Sequence, residues 1–237
     1  FAETNRTNFN ILETERENLL AVLAKCRESR SQDYLAIASS LLRRTSTHFA
    51  YGFLPQRGYW KEALSIVSTA IQLTADPGEK SKFYAYKGLL LYWLGEHEKS
   101  MEAYEQGFAM CGGCEDYYCQ AMILQWQGFI RSDEGSYREC EALYRRSLQI
   151  SEQHQLPKEM LWTAKQLVGV VLYHQCRYEE SRSILEEIFA KKNELARGFI
   201  SVTERRLAGL YRRTGLFPQA ERLLNSCLRY ERSVGNE

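Results

Sequence analysis

Apolar residues along this chain recur at helical steps, and no stretch alternates apolar and polar in the period-2 manner of a half-buried strand. The amphipathic segments come in pairs, and between the members of each pair stands a turn residue: Gly58, Gly95, Gly135, Cys176 and Gly215. These turns are spaced by 37, 40, 41 and 39 residues. Two positions after each comes a ring side chain (Trp60, His97, Tyr137, Tyr178, Phe217), and three further on a small residue (Ala63, Ser100, Cys140, Ser181, Ala220). Seven positions before each turn stands Tyr51, Gly88, Gly128, Gly169 or Ala208, mostly small.

This pattern has a physical reading. A tiny residue before the turn lets two antiparallel helices approach closely, and the small residue after it admits a bulky neighbour. Glycine at the turn allows the positive φ that ends the first helix. Between pairs lie "TADPGEKS", "MCGGCED", "HQLPKE" and "KKNELARG", with Pro77 and Pro157 where helices begin or end and Pro218 in a first-turn slot. The spacing predicts an all-α chain: an N-terminal helix over 1–32, then a row of helix hairpins over 33–237. Their predicted spans are about 33–76, 80–111, 116–154, 157–192 and 196–232.

Small-x₆-Gly-x-aromatic-x₂-Ala at this period resembles the tetratricopeptide repeat (TPR) over residues 33 to 232, with hairpins a little longer than the roughly 34 residues usual for it. The resemblance implies a right-handed superhelical α-solenoid of about five hairpins. The N-terminal stretch Leu12-Glu13-x-Glu15-x-x-Asn18-Leu19-x-Ala21 is similar to the helix that joins the nucleotide-binding portion of bacterial STAND-type signalling ATPases to their repeats. That second resemblance implies a sensor arm of a signal-transduction or transcription regulator, with a nucleotide-binding domain upstream, since no Gly-x₄-Gly-Lys-Ser/Thr occurs here. The start at Phe1 rather than methionine fits a piece of something longer. The implied function is non-catalytic: an effector or partner binds in the concave groove and shifts the attached ATPase between states. A stand-alone TPR adaptor that binds a peptide segment of a partner protein is the alternative.

Composition narrows the classes further. Of 237 residues 44% are apolar, enough for a core, and Lys+Arg 31 against Asp+Glu 30 leaves a net charge of +1, which gives no global pull toward nucleic acid or anionic membrane. No apolar run reaches the roughly 18 residues a membrane helix needs. Seven cysteines, an odd number, fit a reducing cytoplasm better than a disulfide framework. Three of them, Cys111, Cys114 and Cys119, crowd into "MCGGCEDYYC", but zinc wants four ligands and no clear fourth is at hand. The expected reading is an inter-hairpin turn, with Gly112-Gly113 as the helix stop and Glu115-Asp116 at the next helix's N-terminus. His48, His97, His154 and His174 have no metal spacing, and no nucleophile, dinucleotide or paired-carboxylate motif is present. No enzyme, metal or cofactor is expected.

Counting back from each turn projects which residues of the first helices point inward. The second hairpin offers Lys82, Ala85, Tyr86, Leu89, Tyr92 and Trp93; the third offers Met122, Gln125, Trp126, Phe129, Ser132 and Asp133. The fourth offers Thr163, Gln166, Leu167, Val170, Tyr173 and His174; the fifth offers Val202, Arg205, Arg206, Gly209, Arg212 and Arg213. The candidate contacts among them are Tyr86, Tyr92, Trp93, Gln125, Trp126, Phe129, Gln166, Tyr173 and the four arginines. An aromatic wall ending in guanidinium groups suits a protein or peptide segment, or a small effector, bearing an acidic group. The competing reading makes the aromatics seam filler and the arginines a solvated face, or partners of Glu204 and Glu221.

Overall fold

The computed structural model describes residues 8–29, 33–42 and 53–233. Among the described residues there are thirteen α-helices and no strand. The chain divides into two compact units, Phe1–Ile123 and Leu124–Glu237.

The first unit contains α1 (Phe9–Thr14), α2 (Arg16–Glu28), α3 (Asp33–Leu42), α4 (Phe53–Gln56), α5 (Trp60–Leu73), α6 (Pro77–Trp93), α7 (His97–Cys114) and the start of α8 (Tyr117–Asp133). The single N-terminal helix expected over 1–32 is two helices broken at Glu15. They are not a separate linker: Leu12, Leu19 and Leu23 are buried in one core with Tyr34, Leu41 and Val67. Polar ties hold the same seam. The Tyr59 hydroxyl donates to Glu13 Oε1 at 2.6 Å, with the Arg16 guanidinium 4.3 Å above the Tyr59 ring. Asp76 caps α6, accepting from the Glu79 N–H at 2.7 Å, with Pro77 pre-set at the first helical position.

Gly88 explains the helix-pair joint. A Cβ added there would stand 2.6 Å from a ring carbon of Tyr104, whose side chain is fully buried against it. From α7, the Ser100 hydroxyl donates to the Gly88 carbonyl at 2.7 Å, so the small position after the turn is also a hydrogen-bond donor across the hairpin. α7 differs from expectation at its end. It runs through Gly112-Gly113 to Cys114 and stops at Glu115, which adopts φ 55°. Both glycines are exposed and keep helical geometry, so the left-handed stop falls on a residue that tolerates it less well. Asp116 then caps α8, accepting from the Cys119 N–H at 2.9 Å.

The second unit contains the rest of α8, then α9 (Tyr137–Gln153), α10 (Lys158–His174), α11 (Tyr178–Ala190), α12 (Arg197–Arg213) and α13 (Phe217–Ser233). The joint recurs. Gly128 lies under the Tyr144 ring and Gly169 under Leu185, where an added Cβ would be 3.1 Å away. Ser181 repeats the role of Ser100 by donating to the Gly169 carbonyl at 2.7 Å. All five turn residues have positive φ, including the non-glycine Cys176 at 63°. Tyr51 and His48, two positions singled out in the sequence, lie outside the described residues. The polar C-terminal end "CLRYERSVGNE" does not make α13 a wholly polar face: Phe217, Leu224 and Leu228 are exposed on it.

Candidate functional site

The twelve candidate contacts separate into three kinds. Tyr86, Gln125 and Gln166 are buried and belong to the packing, so they are withdrawn as candidate ligand contacts. Gln125 Nε2 donates to Ser147 Oγ and reaches Met160 Sδ, both at 3.1 Å, and Gln166 Nε2 donates to Thr203 Oγ1 at 2.7 Å. Counting from the turn finds a helix face. It does not say how much of that face the next hairpin covers.

A second group consists of aromatic residues engaged in stacks. In the first unit Trp93 stacks on Trp60 at 6.0 Å between ring centroids, and Tyr92 stacks on His97 at 5.5 Å. In the second unit His174 stacks on Tyr137 at 5.3 Å with the rings 11° from parallel. Trp93 and His174 stand at the same repeat position, two before the turn, and each covers the ring two after the preceding turn. That is a seam, read twice. Trp126 and Phe129 are half-buried and pair with each other at 5.2 Å; Phe129 also meets the Tyr144 ring edge-on. Trp93 is 51% exposed despite its stack and still offers a face to solvent.

The third group forms a recess of about 210 Å³ lined by Val170 and Tyr173 of α10, Leu185 of α11, and Arg205, Arg206 and Gly209 of α12. Five of these six stand on the inward projection; Leu185 comes from a second helix and was not on it. Gly209 sits in mid-helix, where glycine costs about 1 kcal/mol relative to alanine. No packing explains it, since a Cβ added there would meet nothing within 4 Å. Its effect is to leave room. Among the described residues, Arg205, Arg206 and Arg212 have no carboxylate at ion-pair distance. Of the two acids suspected of neutralising them, Glu204 is buried and engaged elsewhere, with Arg197 2.8 Å from one oxygen and the Ser226 hydroxyl donating to the other. Glu221 is exposed, with no ion pair to them among the described residues. Arg213 Nε donates to the Tyr173 hydroxyl at 3.3 Å, fixing that ring as a side wall. Arg212 is exposed two turns along from Arg205 and does not line the recess.

Burial first, and neighbouring positive charge second, shift two groups around the recess. Although Arg206 is exposed along much of its length, partial burial and the neighbouring charge of Arg205 hold its guanidinium below the ordinary arginine range. Burial, and then the charge of Arg206, push the His174 imidazole down as well. A larger recess of about 780 Å³ lies at the turn between α8 and α9, lined by Tyr137, Arg138, Glu139, Glu141, Gln175 and Arg177 among others. Two arginines and two glutamates line it, and Glu141 is the centre of a hydrogen-bonded network. Glu141 accepts from Arg145 at 2.7 Å, Arg177 at 2.8 Å and Gln175 at 3.0 Å. That network ties the fourth hairpin's turn to α9, so the smaller, uncompensated recess is the candidate site.

Cys111 and Cys119 meet in the core, but Cys114 does not join them. Cys111 and Cys119 are buried and Cys114 is exposed; among the described residues no group of three or more His, Cys, Asp or Glu could hold a metal ion. Contact with Cys111 and burial push the Cys119 thiol well up, toward the protonated form, while the same contact holds the Cys111 thiol below the ordinary range.

No protein-family profile matches the chain, and no curated protein matches it. Solved structures do. BtubC from P. vanneervenii is similar over 93% of this chain and 92% of its own, at 17% identity and a TM-score of 0.72. The STAND signal-transduction ATPase with a tetratricopeptide-repeat sensor from Pyrococcus horikoshii matches 95% of this chain with 33% of its own, at 16% identity and a TM-score of 0.70. The Rap conjugation gene regulator of plasmid pLS20, solved with the Phr* peptide, matches 77% of this chain with 51% of its own, at 14% identity and a TM-score of 0.65. Among the described residues no helix is long and apolar enough to cross a membrane. At these identities the likeness establishes the fold: the chain is an all-α, TPR-like helical-repeat solenoid, similar in architecture to the repeat sensor of a STAND protein.

Proposed function

We propose that this chain is a non-catalytic binding module that engages an acidic partner segment through the α10–α12 face of its second unit. The observation that carries this reading is the guanidinium cluster of Arg205, Arg206 and Arg212, which no described carboxylate compensates. Several cations gathered on one helix with no described carboxylate beside them give that surface a local positive potential that favours an anionic partner. The fold supports the class, since the Rap regulator among the similar structures was solved with a peptide. The module acts as the sensor arm of a STAND-type ATPase in the cytoplasm, with the nucleotide-binding domain upstream. Partner binding then biases that domain between two states by its differential affinity for them. The second reading is a TPR adaptor that binds a peptide segment of a partner protein with the same face.

A peptide array grouped by net charge tests the module directly. Retained peptides concentrate among acidic sequences under this reading, and retention falls steeply as salt rises, because surface charge pairs are screened. Retention of neutral or basic peptides with no salt dependence contradicts it.

A further inference from the structure

The recess has more chemistry in it than positive charge. Its floor is apolar, made by Val170 and Leu185, and Gly209 leaves open the space where every other residue would place a Cβ. Arg205 and Arg206 supply donors at the rim, and Tyr173, tied to Arg213, closes one side. At about 210 Å³ the space is below the 300–1,000 Å³ typical of pockets for whole small-molecule ligands, and matches a single side-chain-sized group. A bare phosphate or sulfate would satisfy the arginines but leave Val170 and Leu185 facing an ion. A purely aliphatic group would fill the floor and leave the guanidinium groups unpaired.

We propose that this recess seats a carboxylate carried on a short aliphatic stem, its oxygens held by Arg205 and Arg206 and its stem lying over Gly209 against Val170 and Leu185. Two sources offer that chemistry: a glutamate side chain within a segment, or an aliphatic residue with a free chain-terminal carboxylate. The seat rests on the module reading above, as the place where the partner's acidic group is anchored.

The test titrates the ¹⁵N-labelled chain with 4-methylpentanoate, its neutral amide 4-methylpentanamide, and inorganic phosphate, following backbone amides by NMR. The carboxylate shifts the amides of Val170, Tyr173, Arg205, Arg206 and Gly209 and binds at least about tenfold tighter than the amide, the scale of one charge-assisted hydrogen bond. Arg206→Gln removes about tenfold of that affinity. Gly209→Leu fills the seat, weakens binding by at least tenfold and leaves the melting temperature equal or higher, since leucine is the better helix former. That variant separates loss of the seat from loss of the fold. The seat is overturned if the amide or phosphate binds as tightly as the carboxylate, or if Gly209→Leu binds normally. Two leucine-ended peptides, one with a free and one with an amidated terminus, and a third with an internal glutamate, then identify the source. The two readings fail separately. Carboxylate binding at the recess with no acidic peptide retained on the array sinks the module, whereas acidic peptides insensitive to Gly209→Leu sink the seat.

Discussion

His174 senses its burial first and the charge of Arg206 second. Burial and the Arg206 charge both disfavour the imidazolium, so the folded chain binds that proton less readily than the unfolded chain does. Stability linked to His174 is therefore fully present above the ordinary imidazole value near 6.5 and is lost as pH falls below it toward the lowered value. An NMR titration should place the His174 pKa below 6.5, and Arg206→Gln should move it upward. An unchanged value in Arg206→Gln would mean that the two groups do not sense each other. The same residue scale shows where sequence reading ran out. Counting back from Cys176 and Gly215 named Tyr173, Arg205 and Arg206 as candidates and put Val170 and Gly209 on the same face without naming them, because a helix face is a matter of period. Tyr86, Gln125 and Gln166 fell on that face too, yet they are covered, and the partners that cover them (Ser147, Met160 and Thr203) sit 22, 35 and 37 residues away. Period carries no information about such partners.

At the level of elements, the hairpin was legible almost entirely from its turn and its small residues. The glycines at 88, 128 and 169 are small because a ring or leucine from the second helix occupies the space of their missing Cβ. Gly128→Ala should destabilise the chain by about 1–3 kcal/mol through overpacking against Tyr144, and Tyr144→Leu in the same chain should recover part of the loss. Denaturant melts of the single and double variants measure both; additive losses would mean the two residues are not opposed. The turns allow a complementary change. Cys176 alone holds the left-handed turn position without glycine, at φ 63°. Cys176→Gly should raise stability by up to about 1 kcal/mol, because left-handed backbone strains a residue that carries a Cβ. A lower melting temperature would mean that the Cys176 side chain contributes more than the strain costs. The helix stop near Cys111 was misplaced in the sequence for a related reason. Gly112-Gly113 looks like a stop, but α7 continues because a helix tolerates exposed glycine at modest cost, and the capping chemistry lies later, at Asp116.

For the whole molecule, net charge was the least informative number. A sum of +1 hides an α12 face that carries Arg205, Arg206, Arg212 and Arg213. Composition therefore argued against any charged partner in bulk, while pattern argued for a charged partner at one place. The central claim is that this face binds an acidic segment. The measurement that tests it most directly is the equilibrium affinity of the tightest acidic peptide, by fluorescence anisotropy, for the unaltered chain and for Arg205→Gln/Arg206→Gln. Both chains should melt at the same temperature, because the arginines lie at the surface and make no ion pair among the described residues. The account predicts at least about a hundredfold weaker binding by the double variant, the loss of two charge-assisted hydrogen bonds. Equal affinity for the two chains would contradict it.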